Sequence, residues 1–217
     1  MKKKLSIVLA VVLTLTLLLT SSIFAWTVVE DFEWGYDGLS LEYSEQYGSD
    51  VDWTVYTGGG SVAEIDNYRW HPGTGTRSAR FYKHDTTVYS TVRAYYPLQE
   101  PSYISFYLYK DSLAYASCKN GNGYWTIDFR INSSEYIQYY SSGYHTLYSY
   151  KFPTYRWVHI EVTSINWDAG TYHIHVDGNH KVTATMRSGN IYRRNLWFGS
   201  WIGSGTFWID DITDSEN

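Results

Sequence analysis

The sequence of 217 residues has one cysteine, Cys118, and four prolines. A single cysteine cannot form a disulfide within the chain, so a disulfide-stapled scaffold is excluded, and we expect Cys118 to be a small buried side chain. After Ala25, no segment keeps apolar residues at a 3.6-residue period for three turns. A bundle of amphipathic helices is therefore also excluded.

Basic residues are scarce as well. The chain has 17 Lys and Arg against 22 Asp and Glu, and three of the lysines lie at positions 2–4. Residues 26–217 therefore contain 14 basic and 22 acidic side chains, a formal charge of −8. A protein that binds the phosphate backbone of nucleic acid needs an excess of basic side chains, so we do not expect nucleic acid as a partner.

The N-terminal segment has the pattern of a secretory signal peptide. The lysines at positions 2–4 precede an apolar run at 5–19, which is shorter than the ~20 apolar residues of a membrane anchor. We expect cleavage after Ala25, a secreted or cell-surface protein, and no membrane contact once residues 1–25 are removed. The remaining 192 residues suit a single β-sandwich domain over 26–217.

Aromatic residues are abundant, with 23 Tyr, 10 Trp and 8 Phe. Aromatic side chains favour strands, and short apolar alternations separated by Gly, Asn, Asp and Ser predict strands almost throughout. We expect an all-β, two-sheet antiparallel sandwich, with residues 34–52 as a loop and no helix. The predicted strands are 26–33, 53–57, 61–66, 78–83, 88–96, 102–110, 113–118, 123–132, 135–140, 144–151, 157–165, 171–177, 180–186, 195–201 and 206–212.

Alternation also predicts which side chains point away from the core, because successive residues of a strand face opposite sides. Even positions are apolar in 103–109, and odd positions are apolar in 125–131. The segments 157–163 and 171–177 are predicted to form a hairpin in which paired residue numbers sum to 336. That register places Glu161 opposite His175.

Three motifs resemble a known family. The hairpin reads WVHIEV from Trp157, WDAGTY from Trp167 and IHVDG from Ile174, which is similar to the hairpin of concanavalin A-like lectin/glucanase domains, including laminin-G-like modules. The segments EDFEWG from Glu30 and FWIDDI from Phe207 resemble the first and last strands of such domains. The resemblance implies a jelly roll whose concave face commonly binds or cleaves glycans.

The polar side of the predicted strands is rich in tyrosine and histidine. Sugar recognition needs flat aromatic faces for pyranose C–H groups and polar groups for hydroxyls, and these residues supply both. The alternative is an ordinary solvated sheet face. The predicted carbohydrate-binding residues are Tyr103, Tyr107, Tyr109, Asp128, Arg130, Tyr136, Gln138, Tyr140, His159, Glu161, His173 and His175.

Two groups of side chains have the residue types of a metal site. By the resemblance, the first and last strands lie side by side, so Glu33 with Asp210 or Asp211 is predicted to supply oxygen ligands for a structural Ca²⁺. His173 and His175 have the spacing of two metal ligands on one face of a strand. Since no further ligand motif accompanies them, pairing with acidic neighbours is the favoured interpretation of these histidines.

The sequence favours binding over catalysis. The run EIDNYR from Glu64 to Arg69 approaches a glucanase motif, but arginine replaces the acid. A lyase needs a charge neutraliser, a base and a proton donor, for which Arg130, Gln138, His159 or His173, and Tyr140 or Tyr107 are suitable types. We therefore expect a secreted polysaccharide-binding protein, with a lyase or glycoside hydrolase, and a structural surface or filament subunit, as the alternatives.

Overall fold

The computed structural model describes residues 27–49, 51–72, 75–84, 90–95, 101–111, 117–120, 127–187, 195–200 and 204–216. The predicted signal peptide, residues 1–25, lies outside these ranges. None of the helices in the described ranges has the length and apolar character needed to cross a bilayer.

Fifteen strands form the described structure. They are β1 (Thr27–Glu30), β2 (Asp52–Tyr56), β3 (Val62–Asp66), β4 (Ser78–Lys83), β5 (Ser90–Tyr95), β6 (Pro101–Lys110), β7 (Ser117–Asn120), β8 (Ile127–Ile131), β9 (Tyr136–Tyr140), β10 (Tyr144–Lys151), β11 (Trp157–Asn166), β12 (Thr171–Val176), β13 (Asn179–Thr185), β14 (Asn195–Ser200) and β15 (Gly205–Glu216).

The strands build two antiparallel sheets. Sheet 1 has the order β13-β12-β11-β6-β15-β4-β3, with β1 paired to β15, and sheet 2 has the order β10-β9-β8-β7-β14-β5-β2. Strands that are consecutive in the chain thus often lie in opposite sheets. The all-β, two-sheet sandwich predicted from the alternation is confirmed.

Each predicted strand overlaps an observed one, and β4 and β10 have the predicted bounds. The hairpin register is also confirmed, since Glu161 pairs with His175 and Val162 with Ile174. At its open end, the amide of Asp177 donates to the carbonyl of His159 at 2.9 Å. The register was predictable because a one-residue slip would turn every buried side chain of the hairpin outward.

The prediction that residues 34–52 lack any helix is wrong. A 3₁₀ turn, Leu41–Tyr43, leads into the one-turn helix α1, Ser44–Tyr47. The side chain of Ser40 accepts from the amide of Glu42, and Gly48 ends α1 with φ 88°. Such short turns are set by their caps and not by a hydrophobic period, which is why the period missed them.

The core lies between the sheets and is formed by the inward residues of both. Phe106 of sheet 1 contacts Phe198 of sheet 2 at 5.1 Å between ring centroids, and Phe129 of sheet 2 at 6.3 Å. Phe81 and Phe207, on neighbouring strands of sheet 1, stack at 4.7 Å. The side chains of opposite parity in these strands therefore point to the two outer faces of the sandwich.

Glu30 joins the first strand to the segment that follows it. Its buried carboxylate accepts from the amide of Phe32 (2.8 Å), the indoles of Trp34 (2.8 Å) and Trp53 (2.9 Å), and the hydroxyl of Ser49 (2.6 Å). Burial raises the pKa of Glu30, against the effect of these four donors. This carboxylate thus holds together residues that are up to 23 positions apart in the chain.

Candidate functional site

The single glycan face expected from the sequence is divided between the two sheets. Strands β6, β11 and β12 are neighbours in sheet 1, whereas β8 and β9 are neighbours in sheet 2. Because both sets point away from the shared core, they lie on opposite outer faces. Sheet 1 carries Tyr103, Tyr107, Tyr109, His159, Glu161, His173 and His175, and sheet 2 carries Asp128, Arg130, Tyr136, Gln138 and Tyr140.

On the outer face of sheet 1, Tyr107 lies between two imidazoles. Its ring stacks on His71 with centroids 3.5 Å apart, and on His159 with centroids 4.4 Å apart. Both faces of the Tyr107 ring are therefore covered and cannot stack on a sugar. Burial is the main cause of the lowered pKa of His159, although the charge of Glu161 acts in the opposite direction.

Glu161 anchors the neighbouring part of this face. Its Oε1 accepts from the hydroxyl of Tyr103 at 3.0 Å, and its Oε2 lies 3.7 Å from Nδ1 of His159. Burial, followed by hydrogen bonding and charge effects that include Glu161, raises the pKa of Tyr103 to about 12. The predicted residues Tyr103, Glu161 and His159 thus form one contiguous network with Tyr107.

The last strand contributes two adjacent carboxylates where it bulges. The ladder between β15 and β6 shifts register between Asp210 and Thr213, and Asp211 has φ 48°. Asp210 is buried and accepts from the amides of His71 (2.7 Å) and Asp211 (2.9 Å). Oδ2 of Asp211 lies 2.9 Å from Nδ1 of His71. Burial raises the pKa of Asp210 to about 8.

The predicted calcium ligands are only partly assembled. Glu33 accepts from the amides of Thr76 (2.6 Å) and Arg77 (2.8 Å), so its Oε1 already has two donors. Gly75 lies against the same carboxylate, and an added Cβ would collide with it. Within the described ranges, no three His, Cys, Asp or Glu side chains are grouped so as to hold a metal ion. The calcium site stays a prediction.

His173 and His175 meet a third histidine that the sequence analysis did not include. The ring of His180 is 5.2 Å from each of them, edge to face. Burial, and then the neighbouring histidines, lower the pKa of His175, while Glu161 opposes this shift. The three rings form a histidine cluster at the edge of sheet 1.

An aromatic cleft opens beside the Tyr107 stack. It has a volume of ≈ 350 Å³. Most of its wall comes from the segment between β3 and β4, and the rest from one residue each of β6 and β11. The lining residues are Tyr68, Arg69, Trp70, Pro72, Tyr109 and Trp157.

Arg69 is fixed in this cleft by aromatic rings. Its guanidinium carbon lies 4.6 Å from the centroid of Tyr109, 4.9 Å from that of Tyr68 and 5.5 Å from that of Trp208. Tyr109 is itself 94% buried, so it forms the floor, whereas Tyr68 is 71% exposed and forms the rim. The cleft thus offers exposed ring surface and one cation with fixed orientation.

The cleft residues Tyr68, Arg69, Trp70 and Pro72 were missed because the segment has no strand alternation. The available signal was compositional: NYRWHP, residues 67–72, puts two aromatic rings, an arginine, a histidine and a proline into one connection. The two carboxylates just before it have structural partners. Glu64 pairs with Arg80, and Asp66 accepts from the indole of Trp208. This agrees with the rejection of a glucanase motif at Glu64 to Arg69.

The sheet 2 group lies on β8, β9 and β10. Arg130 donates from Nε to Oε1 of Gln138 at 2.9 Å, and its guanidinium carbon lies 3.8 Å from the ring centroid of Tyr144. Tyr144 donates its hydroxyl to Asp128, which is buried. Tyr136 lies at the end of the group, edge to face with Tyr148 at 5.5 Å.

The residues suited to lyase chemistry are not brought together. Arg130, Gln138 and Tyr140 are on the outer face of sheet 2, whereas His159, His173 and Tyr107 are on the outer face of sheet 1. A base and a charge neutraliser must both reach one sugar residue to act in β-elimination. The combination predicted from residue types therefore does not form a single centre.

Comparison with solved structures shows the fold. A sialidase matches with a TM-score of 0.68 and 10% identity, over 89% of this chain and 18% of its own. The carbohydrate esterase from Shiga toxin-encoding bacteriophage phi24B matches with a TM-score of 0.60 and 13% identity, over 89% of this chain and 100% of its own. The β-glucanase of Bacillus licheniformis matches with a TM-score of 0.50 and 13% identity, over 76% of this chain and 92% of its own.

These similarities confirm the resemblance at the level of fold: the chain has the jelly-roll architecture of concanavalin A-like domains. The chain spans less than a fifth of the sialidase that it matches. No family model matches the sequence, and no curated protein matches it either.

Proposed function

We propose that this protein is a secreted, non-catalytic polysaccharide-binding protein and that its aromatic cleft holds the sugar. The observation that carries the proposal is the cleft itself, in which Tyr68 and Trp70 present exposed rings beside the fixed guanidinium of Arg69. A shallow site with ring surface and a few oriented donors suits the alternating C–H and hydroxyl surface of a pyranose.

The exposure of their rings favours the cleft residues Tyr68 and Trp70 as the sugar-binding residues over those predicted from strand alternation. Trp70 is 39% exposed and Tyr68 is 71% exposed, whereas Tyr107 is covered on both faces. Large aromatic side chains that stay exposed on a folded protein are typical of interaction sites. In this proposal Tyr107, His159 and Glu161 support the cleft floor and do not contact the ligand.

The separation of the lyase-type residues supports binding over catalysis. The neighbours named above, a sialidase, a carbohydrate esterase and a β-glucanase, are carbohydrate-active by name, and the fold is compatible with both roles. Among the described residues that line the cleft, there is one cation and no carboxylate. A paired acid and base, as in glycoside hydrolysis, is thus not provided by the lining.

The test is affinity electrophoresis of residues 26–217 in a panel of soluble polysaccharides, neutral and acidic, followed by titration calorimetry with the best one. Truncating two rim aromatics, Tyr68→Ala with Trp70→Ala, should weaken binding at least about tenfold, because rings of this kind dominate binding energies. Tyr56→Ala, which truncates a 50% exposed tyrosine of sheet 2, is the matched control and should bind normally.

Binding that survives the double substitution would contradict the cleft as the site. Sustained release of reducing ends or of unsaturated product from the bound polysaccharide would contradict the non-catalytic role. Thermal melts of each variant check that the loss of binding is not a loss of the fold.

A further inference from the structure

A second group of side chains combines Arg130, Tyr140 and Tyr144 of sheet 2 with Arg187, which follows β13 at the edge of sheet 1. Arg130 lies over the ring of Tyr144 at 3.8 Å, and Arg187 lies over the ring of Tyr140 at 4.8 Å. The two tyrosine rings meet edge to face at 5.6 Å. We call these four residues the arginine cluster.

Arg130 is held in one orientation. Its Nε donates to Oε1 of Gln138 at 2.9 Å, and Nε2 of Gln138 donates to the hydroxyl of Thr146 at 3.0 Å. This chain of hydrogen bonds uses Nε of the guanidinium. Its terminal nitrogens have no hydrogen-bond partner within the described ranges, so their donors stay available on the planar edge that fits a carboxylate.

The cluster differs from three other arginines of the described ranges in its lack of an ion pair. Among the arginine side chains that the structure describes, Arg77, Arg80 and Arg156 each pair with an acidic residue. Arg130 and Arg187 have no ion pair there, although acidic residues outnumber basic ones in the chain. Two neighbouring unpaired cations repel each other and attract an anion from solution.

Asp128 does not neutralise this charge at the surface. It is completely buried behind Tyr144, where Oδ2 accepts from the tyrosine hydroxyl and Oδ1 has no hydrogen-bond partner in the described part of the chain. Tyr144 remains 41% exposed and separates the buried carboxylate from solvent. The accessible part of the cluster therefore has a net positive charge.

We propose that the arginine cluster is a second binding site, which takes the carboxylate of a uronic acid residue in an acidic polysaccharide. The guanidinium of Arg130 receives the carboxylate, Arg187 supplies the second positive charge, and the exposed edges of Tyr140 and Tyr144 contact the sugar ring. The site is on the opposite face of the sandwich from the aromatic cleft and does not depend on it.

The experiment measures calorimetric affinities of residues 26–217 for polygalacturonate, for dextran sulfate and for neutral dextran, at two salt concentrations. The variants are Arg130→Gln, Arg187→Gln and the double substitution. Arg156→Gln is the control, because it removes the same charge from a surface arginine that is paired with an acidic residue. We expect polygalacturonate binding that weakens with salt. Each cluster substitution should weaken it about tenfold and the double substitution more, because hydrogen bonds to charged groups are strong.

The outcomes separate this proposal from the first one. Equal loss in Arg156→Gln would overturn it, because attraction would then depend on overall charge. A preference for dextran sulfate would overturn the carboxylate assignment, and an absence of polygalacturonate binding would overturn the site. Loss in Tyr68→Ala with Trp70→Ala, but not in the arginine variants, would place the acidic polymer in the aromatic cleft and also count against this site.

Discussion

Replacing Tyr144 by phenylalanine removes one oxygen and tests how the buried Asp128 is held. The tyrosine hydroxyl is the hydrogen-bond partner that the structure shows for this carboxylate, which is completely buried. Phenylalanine keeps the ring, and with it the contacts to Arg130 and Tyr140. The change therefore isolates one charge-assisted hydrogen bond.

The expected loss of unfolding free energy depends on the cost of leaving the buried Asp128 carboxylate without its hydrogen-bond donor. Leaving a buried polar group unsatisfied costs roughly 1–3 kcal/mol, and more for a charged group, while removing one partner of a buried ion pair costs about 3–5 kcal/mol. Tyrosine is neutral, so we expect Tyr144→Phe to lower the free energy of unfolding by about 3 kcal/mol. Asp128→Asn keeps an acceptor and should cost less. The double variant should show a coupling of at least about 1 kcal/mol.

The assay is urea unfolding of residues 26–217, followed by tryptophan fluorescence and circular dichroism, with coincident transitions as the check on two-state behaviour. Tyr148→Phe is the control, because Tyr148 is 77% exposed and its ring contact to Tyr136 survives the change. A loss below about 0.5 kcal/mol in Tyr144→Phe, or additive single changes in the cycle, would refute the reasoning.

Three further changes test other parts of the structure. Glu30→Gln should lower the free energy of unfolding by about 2 kcal/mol in urea, because its amide nitrogen would face the donors of Ser49 and Trp53; a neutral result would contradict the role of Glu30. Tyr103 and Tyr144, with pKa values raised to about 12 mainly by burial, contribute stability that is complete below the unfolded pKa of about 10 and lost as pH rises through 12. Urea midpoints between about pH 8 and 11 should therefore fall less steeply in Tyr103→Phe than in the parent chain. If Glu33, Asp210 and Asp211 bind Ca²⁺, chelator should lower the melting temperature, and an indifferent melting temperature would contradict this site.

Strand positions were predictable from the sequence because each strand buries one face. The alternation in β6, with Ile104, Phe106 and Leu108 buried, leaves no second register that keeps the core filled. The same constraint fixed the pairing of Glu161 with His175. The helix α1 was missed because its two ends, and not a repeating apolar pattern, determine it.

The candidate site was less predictable, because alternation assigns a side chain to one side of its own strand and not to a sheet. Tyr107 and Arg130 both point outward, yet β6 pairs with β11 and β15 whereas β8 pairs with β7 and β9. The pairings of β6 join strands far apart in the sequence, whereas β8 pairs with the strands next to it in the chain, so the sheet that each strand joins depends on how the whole chain folds. The cleft residues lay in a connection, where periodicity carries no information.

Pointing outward and facing a ligand are also different properties in this sandwich. Tyr107 points outward but is covered by His71 and His159, and Asp128 points outward but is covered by Tyr144. Side chains that are covered in this way fix the orientation of the residues that cover them. Substitutions at Tyr107 and Asp128 should therefore change stability first, and ligand binding only through the residues that they support.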